Sequence, residues 1–315
     1  ADEVLGAVQE GQRGRSLGQA ELLDRVGAVD EAGDGSQASL EAAVFTLAAG
    51  PRVILAGGTD VFPGLQDRPL LGPVLDISGI PALRTIDFDG RYFRIGAATS
   101  WRAVINADLP PAFDGLKEAA GEVGSIQIQN RATVVGNLCN ASPAADGVPP
   151  LLTLDAEVEI ASTSGFRYLP LSKFILGNRK TALETGEMVS ALRVPSTSTT
   201  GRSSFLKLGA RSYLVISISM AALRLDVDKA GMISTVALSI GACSEVAIRM
   251  ERVESVLFGT PLSNSCERIT QDLFTDLAPI DDVRAPAQYR REASVEVVRR
   301  LLAGQQRYFA SEAKA

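Results

Sequence analysis

Apolar positions in the first two thirds of the chain form short runs that end in glycine, proline or polar clusters, a pattern typical of buried strands. The segments "RVILA", "PVLDIS" and "RYFRIGAAT" predict three such strands within residues 52–99. Later runs predict four more strands, at residues 132–138, 156–162, 166–171 and 187–195.

Helical patterns lie between these strands. Ser39 is placed to cap a helix that ends at Gly50, and Thr99 is placed to cap another through residues 100–108. A third helix is predicted at residues 111–123, because proline is well suited to the first helical turn.

Beyond the Ser/Thr-rich segment 196–203 the pattern changes to apolar–polar alternation, which indicates antiparallel strands. The strands are predicted at residues 204–211, 215–227 and 232–243, and helices at 247–259, 266–277 and 285–309. The sequence therefore predicts an α+β protein with two domains, at residues 37–196 and 203–312. Residues 1–36, rich in glycine and polar residues, predict a flexible arm or linker.

The composition of the chain limits the classes of function that it can have. The 37 acidic and 31 basic residues give a net charge of −6, which provides no electrostatic footprint for nucleic acid or an anionic membrane. No apolar run approaches the roughly 20 residues that cross a bilayer, and the first residues lack the pattern of a secretory signal. The sparse cysteines, Cys139, Cys243 and Cys266, favour a reducing cytoplasm over a disulfide framework.

Histidine is absent from the sequence. The commonest general base and metal ligand is therefore missing, which excludes serine triads, cysteine–histidine pairs and histidine-bound zinc within this chain. If the protein is an enzyme, we expect a bound cofactor to carry the chemistry.

The stretch "RVILAGGTDVFPGL" joins a predicted strand directly to Gly57 and Gly58. Glycine permits positive φ and the close approach of another group, which suits an anion-binding nest of backbone amides. An ordinary strand-to-helix turn, with Thr59 as the helix cap, has the same pattern. The residues alone leave both interpretations open.

The stretch "NRATVVGNLCNASPAAD" places Gly136 where a strand would continue and follows it with Asn137, Asn140, Ser142 and Asp146. These polar groups suit a ligand site, and they equally suit a strand followed by an Asn/Ser-rich turn. Neither glycine site has the lysine of a P-loop or the spacing of a dinucleotide-binding fingerprint.

Together, "ILAGGTDV" and "TVVGNLCNASPAAD", about 75 residues apart, resemble the flavin-binding module of molybdenum hydroxylases. This family includes xanthine dehydrogenase, aldehyde oxidase and carbon monoxide dehydrogenase. The resemblance extends through "VLDISGIPALR", "RIGAATSW" and "FLKLGAR". It implies a p-cresol methylhydroxylase-type FAD-binding domain, made of two α/β subdomains and followed by an antiparallel sheet with helices. Thr59-Asp60 resembles the residues that xanthine dehydrogenase-type subunits have in the first glycine turn. In the second motif, this chain has Val135-Gly136 where several relatives have Gly-Gly.

The resemblance also implies the cofactor contacts. The two glycine turns would hold the FAD pyrophosphate, and Asp146 would contact the region of the ADP ribose. The implied FAD-binding residues are Leu55, Ala56, Gly57, Gly58, Thr59, Asp60, Val61, Thr133, Gly136, Asn137, Asp146, Val189 and Lys207.

The function that the resemblance implies is electron transfer by a cytoplasmic oxidoreductase subunit. Substrate would be oxidised at molybdenum on a molybdopterin-containing large subunit, and a small subunit would carry [2Fe–2S] clusters. FAD on this chain would deliver electrons to NAD or another acceptor. Two alternatives remain: a self-contained flavin oxidoreductase of the same fold, or a non-catalytic binding protein with degenerate glycine loops.

Three further features are interpreted as structural. Cys139 and Trp101 are expected to be packing residues. The basic residues of the last helix are expected to form a solvated face; they are Arg290, Arg291, Arg299 and Arg300.

Overall fold

The computed structural model describes residues 39–66, 68–70 and 72–312, so the predicted arm at residues 1–36 lies outside the described part. The first element is helix α1 (Leu40–Ala48). Its N-cap Ser39 accepts a hydrogen bond from the Ala42 amide at 3.2 Å, and Gly50 follows its end. The predicted cap and end of this helix are confirmed.

Strands β1 (Val53–Leu55) and β2 (Val74–Asp76) form a small parallel sheet. Parallel strands need a crossover, and the intervening chain contains the short helix α2 (Val61–Leu65). The first glycine segment is the loop that connects β1 to α2.

A five-stranded antiparallel sheet follows. Its spatial order is β3 (Ile86–Phe88), β4 (Tyr92–Gly96), β9 (Met188–Pro195), β5 (Glu157–Ser162) and β6 (Gly165–Pro170). Helices and a small hairpin complete this half of the molecule: α3 (Trp101–Asn106), α4 (Asp114–Glu122), α5 (Ile126–Arg131), α6 (Val134–Asn140), α7 (Val148–Thr153), α8 (Leu171–Phe174), β7 (Ile175–Gly177) and β8 (Lys180–Thr181). One apolar core, which includes Trp101, Phe113 and Phe174, lies between the sheets and helices.

The C-terminal half is an antiparallel sheet of β10 (Arg202–Leu208), β11 (Ser219–Val227), β12 (Ile233–Gly241) and β13 (Ile248–Arg249). Helices α9 (Glu251–Leu257) and α10 (Ala287–Glu312) lie in this half, which has a second apolar core. The predicted α+β class, with a C-terminal antiparallel sheet and helices, is confirmed.

Helix α4 joins the two halves by contacts with strand β10. The Gly115 amide donates to the Ser203 hydroxyl at 2.7 Å, and the Phe205 amide donates to the carboxylate of Glu118 at 2.6 Å. Because each of these backbone groups is satisfied across the junction, β10 is fixed against the first half. Lys207, near the end of the same strand, is thereby directed toward the second glycine segment.

The strand predicted at residues 132–138 is wrong. Thr133 is extended (φ −105°, ψ 152°) and caps helix α6, because its hydroxyl accepts a hydrogen bond from the Gly136 amide at 3.0 Å. The valines at 134 and 135 are buried in the core. A side-chain cap and burial of both valines therefore override the strand preference of a Thr-Val-Val run.

Four smaller predictions are also corrected. Helix α3 is capped by Ser100, while the Thr99 hydroxyl donates to the Thr85 carbonyl at 3.3 Å. The helix expected over residues 266–277 is two 3₁₀ segments, because Thr270 between them is extended. The helix expected from residue 247 begins only at Glu251, and strand β10 begins at Arg202, inside the predicted linker.

Within the residues that the structure describes, no helix has both the length and the apolar character needed to cross a membrane.

Candidate cofactor-binding site

The first glycine loop lies against the end of helix α5. A Cβ atom added to Gly57 would overlap the Arg131 carbonyl oxygen and lie 2.7 Å from its carbonyl carbon, so only glycine fits this approach. Gly58 has φ +71°, which glycine adopts without strain. The N-cap of α2 is Asp60 and lacks a side-chain capping bond, so the interpretation of Thr59 as the cap is wrong.

The amides of this loop are available to a ligand. Within the described part of the chain, none of the backbone N–H groups from Gly57 to Asp60 donates a hydrogen bond to another protein atom. Consecutive unpaired amides on a rigid loop are the structural basis of anion-binding nests. This observation favours the ligand interpretation of the first glycine segment over the ordinary turn.

The second glycine segment lies opposite the first. The Asn140 amide nitrogen donates to the Asp60 carboxylate at 3.1 Å, which links α6 to the first loop across 80 residues of sequence. Arg179, at the tip of the β7–β8 hairpin, donates to the Asn140 oxygen at 2.7 Å. The two segments and the hairpin therefore form one hydrogen-bonded unit.

Between the two segments is a cavity of about 390 Å³. Nine of the predicted site residues line it: Ala56, Gly57, Gly58, Thr59, Asp60, Val61, Thr133, Gly136 and Asn137. A second cavity, also about 390 Å³, shares Val123 and Asn137 with the first and is lined by Asp146 and Lys207. The two cavities are therefore neighbours along one groove, an arrangement that suits an extended ligand.

Asp146 and Lys207 form a buried ion pair at the second cavity. The lysine ammonium lies 2.6 Å from one carboxylate oxygen, and the hydroxyl of Ser217 donates to the other at 2.7 Å. Burial raises the pKa of Asp146 above its usual value, while Lys207 and Ser217 act in the opposite direction by stabilising the ionised form. The carboxylate thus has a fixed orientation beside the groove.

Two predicted site residues do not line either cavity. Val189 is buried in β9, where it pairs with Ile160 and belongs to the apolar core. Leu55 is buried at the end of β1, behind the first loop. Their assignment as FAD contacts stays a prediction.

Sequence reasoning missed several residues at the site. Ser217 lies ten residues from Lys207 and has no local signal, because it reaches Asp146 only through the pairing of β10 with β11. Arg179 has φ +54° in a hairpin that the pattern did not predict. The Gly177-Asn178 pair that precedes Arg179 is a turn signal that could have identified the hairpin.

Cys139 lines the first cavity but is not poised for redox chemistry. Burial raises the pKa of its thiol to about 12, so the reactive thiolate is almost absent at neutral pH. The interpretation of Cys139 as a packing residue is consistent with this environment.

The basic face predicted on the last helix is wrong for Arg290, which is buried. Its guanidinium donates to Asp282 at 2.6 Å and to the carbonyl oxygen of Ile218 at 2.8 Å. Helix α10 is therefore tied to the segment that contains Ser217.

Comparisons with known proteins agree with this geometry. The family described as "FAD binding domain in molybdopterin dehydrogenase" matches residues 36–197, and "CO dehydrogenase flavoprotein C-terminal domain" matches residues 204–304. The chain belongs to this family of FAD-binding dehydrogenase subunits. The predicted resemblance, the FAD cofactor and the class of oxidoreductase subunit are confirmed.

Individual relatives cover most of this FAD-binding subunit. The nicotinate dehydrogenase FAD-subunit of Eubacterium barkeri is 30% identical over 80% of this chain and 87% of its own length. A putative xanthine dehydrogenase FAD-binding subunit of Escherichia coli (strain K12) is 32% identical over 80% of this chain and 88% of its own. A chain of the reconstituted CO dehydrogenase from Oligotropha carboxidovorans superposes with a TM-score of 0.76 and 26% identity, covering 84% of this chain and 94% of that one.

The residues present fit FAD. The unpaired amides of Gly57 to Asp60 suit pyrophosphate oxygens, which only accept hydrogen bonds. The charged pair of Asp146 and Lys207 lies along the same groove, where polar parts of a dinucleotide need partners. Cavity shape and donor chemistry therefore agree with the family.

Proposed function

We propose that this subunit is the electron-transfer flavoprotein of a molybdenum hydroxylase of the xanthine dehydrogenase type. Electrons would arrive from [2Fe–2S] clusters on a partner chain and leave to NAD or another acceptor. When bound, FAD supplies the ability to take electrons singly and release them in pairs. The observation that carries the proposal is the groove between the two glycine segments, with its row of unpaired amides.

The protein's own residues bind and orient the cofactor in this proposal. The amides of Gly57 to Asp60 hold pyrophosphate oxygens, and the Asn140–Asp60 hydrogen bond keeps the two loops at a fixed separation. Asp146, held by Lys207 and Ser217, offers one carboxylate in a single orientation to a sugar hydroxyl. None of these roles requires a histidine.

A third cavity supports the acceptor side of the proposal. It has a volume of about 740 Å³ and shares Ser142, Ala144 and Ile216 with the second cavity. Its lining includes Glu245 and Asp282, and Asp282 pairs with two of the lining arginines. The third arginine, Arg179 at the hairpin tip, donates to the neutral Asn140 side chain. A guanidinium that is not neutralised by these carboxylates, next to the flavin groove, suits an acceptor that carries phosphate, such as NAD.

The proposed partners are a molybdopterin-containing large subunit and a [2Fe–2S] small subunit. Support comes from the composition, because a chain with no histidine and three cysteines far apart offers no set of ligands for an iron–sulfur cluster. The same scarcity of cysteine supports the proposed cytoplasmic location.

The test is reconstitution of the purified chain with FAD, followed by assays of NADH:dye reductase activity and of purine and aldehyde oxidation. We expect stoichiometric FAD binding and no purine or aldehyde turnover until the partner subunits are added. Turnover by the chain alone would favour the self-contained flavin oxidoreductase. A folded chain without affinity for FAD would favour the non-catalytic binding protein.

A further inference from the structure

Trp101 is the only tryptophan of the chain, and its indole is fully buried at the start of α3. Within the described residues the indole Nε1 has no hydrogen-bond partner. Buried donors are paired in most proteins, and tryptophan usually finds a partner for its N–H. Trp101 also lines the first cavity, so the residue with this unpaired donor forms part of the wall of the cofactor site.

A complementary acceptor lies next to it. The side-chain Oδ1 of Asn137 is also buried without a partner among the described residues. A Cβ atom added to Gly147 would lie 3.0 Å from this oxygen and 2.5 and 3.0 Å from the Cη2 and Cζ2 atoms of Trp101. Cζ2 is bonded to the ring carbon that carries Nε1, so this is the edge of the benzo ring next to the N–H group. Two side chains that each carry an unpaired buried polar atom, a donor and an acceptor, therefore meet beside Gly147.

The chemistry of the amide selects one orientation. If Asn137 were rotated so that its NH₂ group faced the indole, two donors would oppose each other and the cavity would face a carbonyl oxygen. With Oδ1 toward the indole, the NH₂ group is directed to the cavities that Asn137 lines. Pyrophosphate oxygens accept hydrogen bonds and would be repelled by the opposite orientation.

We propose that Trp101 is a positioning residue for Asn137. Its indole N–H donates to the Asn137 Oδ1 after a rotation of the amide, and this bond holds the amide NH₂ group toward the cofactor phosphates. The cofactor part of the proposal rests on the proposed function, whereas the indole–amide bond is a property of the chain itself.

A single tryptophan gives a single indole N–H resonance in a ¹⁵N-tryptophan-labelled sample, so the bond can be followed directly. In the wild-type protein we expect a downfield, slowly exchanging signal. Asn137→Leu should move it upfield and speed its exchange, whereas Asn137→Asp, which keeps an acceptor, should leave it downfield. An indole signal that is the same in wild type and Asn137→Leu would overturn the proposal.

Affinity for FAD, measured by flavin fluorescence quenching, tests the consequence. Trp101→Phe removes the N–H and keeps most of the packing; it should weaken FAD binding about five- to tenfold, as the loss of one neutral hydrogen bond predicts. When Trp101→Phe is combined with Asn137→Leu, it should cause no further loss of FAD affinity. Phe174→Leu, a buried aromatic change in the same core but outside the cavity, controls for general loosening and should keep wild-type affinity.

Equal affinities of Trp101→Phe and wild type, or the same weakening in both backgrounds, would refute the positioning role. If the wild-type chain itself does not bind FAD, the proposed function fails, and the resonance alone decides whether the indole–amide bond exists.

Discussion

Gly57→Ala tests the close approach of the first glycine loop to helix α5. The added methyl group would overlap the Arg131 carbonyl oxygen and lie 2.9 Å from the Ala132 Cα, and both neighbours are backbone that cannot rotate away. The loop must therefore shift, at a stability cost of about 1–3 kcal/mol typical of overpacking. The unpaired amides move with the loop.

The effect on cofactor binding should be larger than the effect on folding. Loss of one charge-assisted hydrogen bond to a phosphate costs about 1.5–3 kcal/mol, so we expect the Kd for FAD to rise about 10- to 150-fold. The assay is titration of the apoprotein with FAD by fluorescence quenching, with the melting temperature measured in parallel. The rise in the Kd for FAD should be larger than the loss of folding stability alone would cause.

Gly64→Ala is the matched control, because it makes the same substitution a few residues later. Gly64 lies in helix α2, and its added Cβ would meet nothing within 4 Å. This variant should keep wild-type affinity and melt at the same or a higher temperature, since alanine favours a helix over glycine by about 1 kcal/mol. A Gly57→Ala protein that binds FAD within twofold of wild type would refute the close-approach argument.

Two substitutions and one labelling experiment test the buried ion pairs and the environment of Cys139. Lys207→Met leaves the Asp146 carboxylate unpaired, so the unfolding free energy should fall by about 3–5 kcal/mol at pH 7. Burial raises the pKa of Asp146, so this loss should shrink as the pH is lowered and the carboxyl is protonated; equal losses in urea unfolding at neutral and at acidic pH would contradict this. Although burial opposes ionisation, hydrogen bonds from the Arg284 amide and the Arg290 guanidinium lower the pKa of Asp282 to about 2. The stabilisation is complete above the unfolded-state pKa of about 3.9 and lost as the pH falls toward 2, so Asp282→Asn should melt lower at pH 7 and approach wild type in acid. Cys139 is half-buried in the wall of the first cavity, and burial raises the pKa of its thiol to about 12. Iodoacetamide at pH 8 should therefore label it far more slowly in the native than in the unfolded protein; equal labelling rates, measured by mass spectrometry, would contradict the raised pKa.

Local patterns were sufficient for much of the fold. Ser39 caps its helix as predicted, because an N-cap hydrogen bond spans only three residues. The alternation beyond residue 203 correctly predicted β10, β11 and β12, since a half-buried strand must repeat every two residues. The pairing of the two glycine segments came from the resemblance to the molybdenum hydroxylase family, because their local patterns fit ordinary turns equally well.

Tertiary structure decided the rest, because the deciding contacts join distant parts of the chain. Thr133 could begin a strand or cap a helix, and burial of the following valines selected the helix. From the sequence, Gly57 could be an ordinary turn glycine. The Arg131 carbonyl packed against it leaves no room for a side chain at this position.

Long-range pairing likewise placed the charged groups. The Asp146 carboxylate contacts Lys207 and Ser217, which are 61 and 71 residues away. The buried Arg290 donates to Asp282 and to the carbonyl oxygen of Ile218, which is 72 residues away. A sequence pattern records which residues prefer to be buried or to turn. It does not show which distant group will satisfy a buried charge. The partners of the buried charges are determined by the packing of the two halves of the molecule.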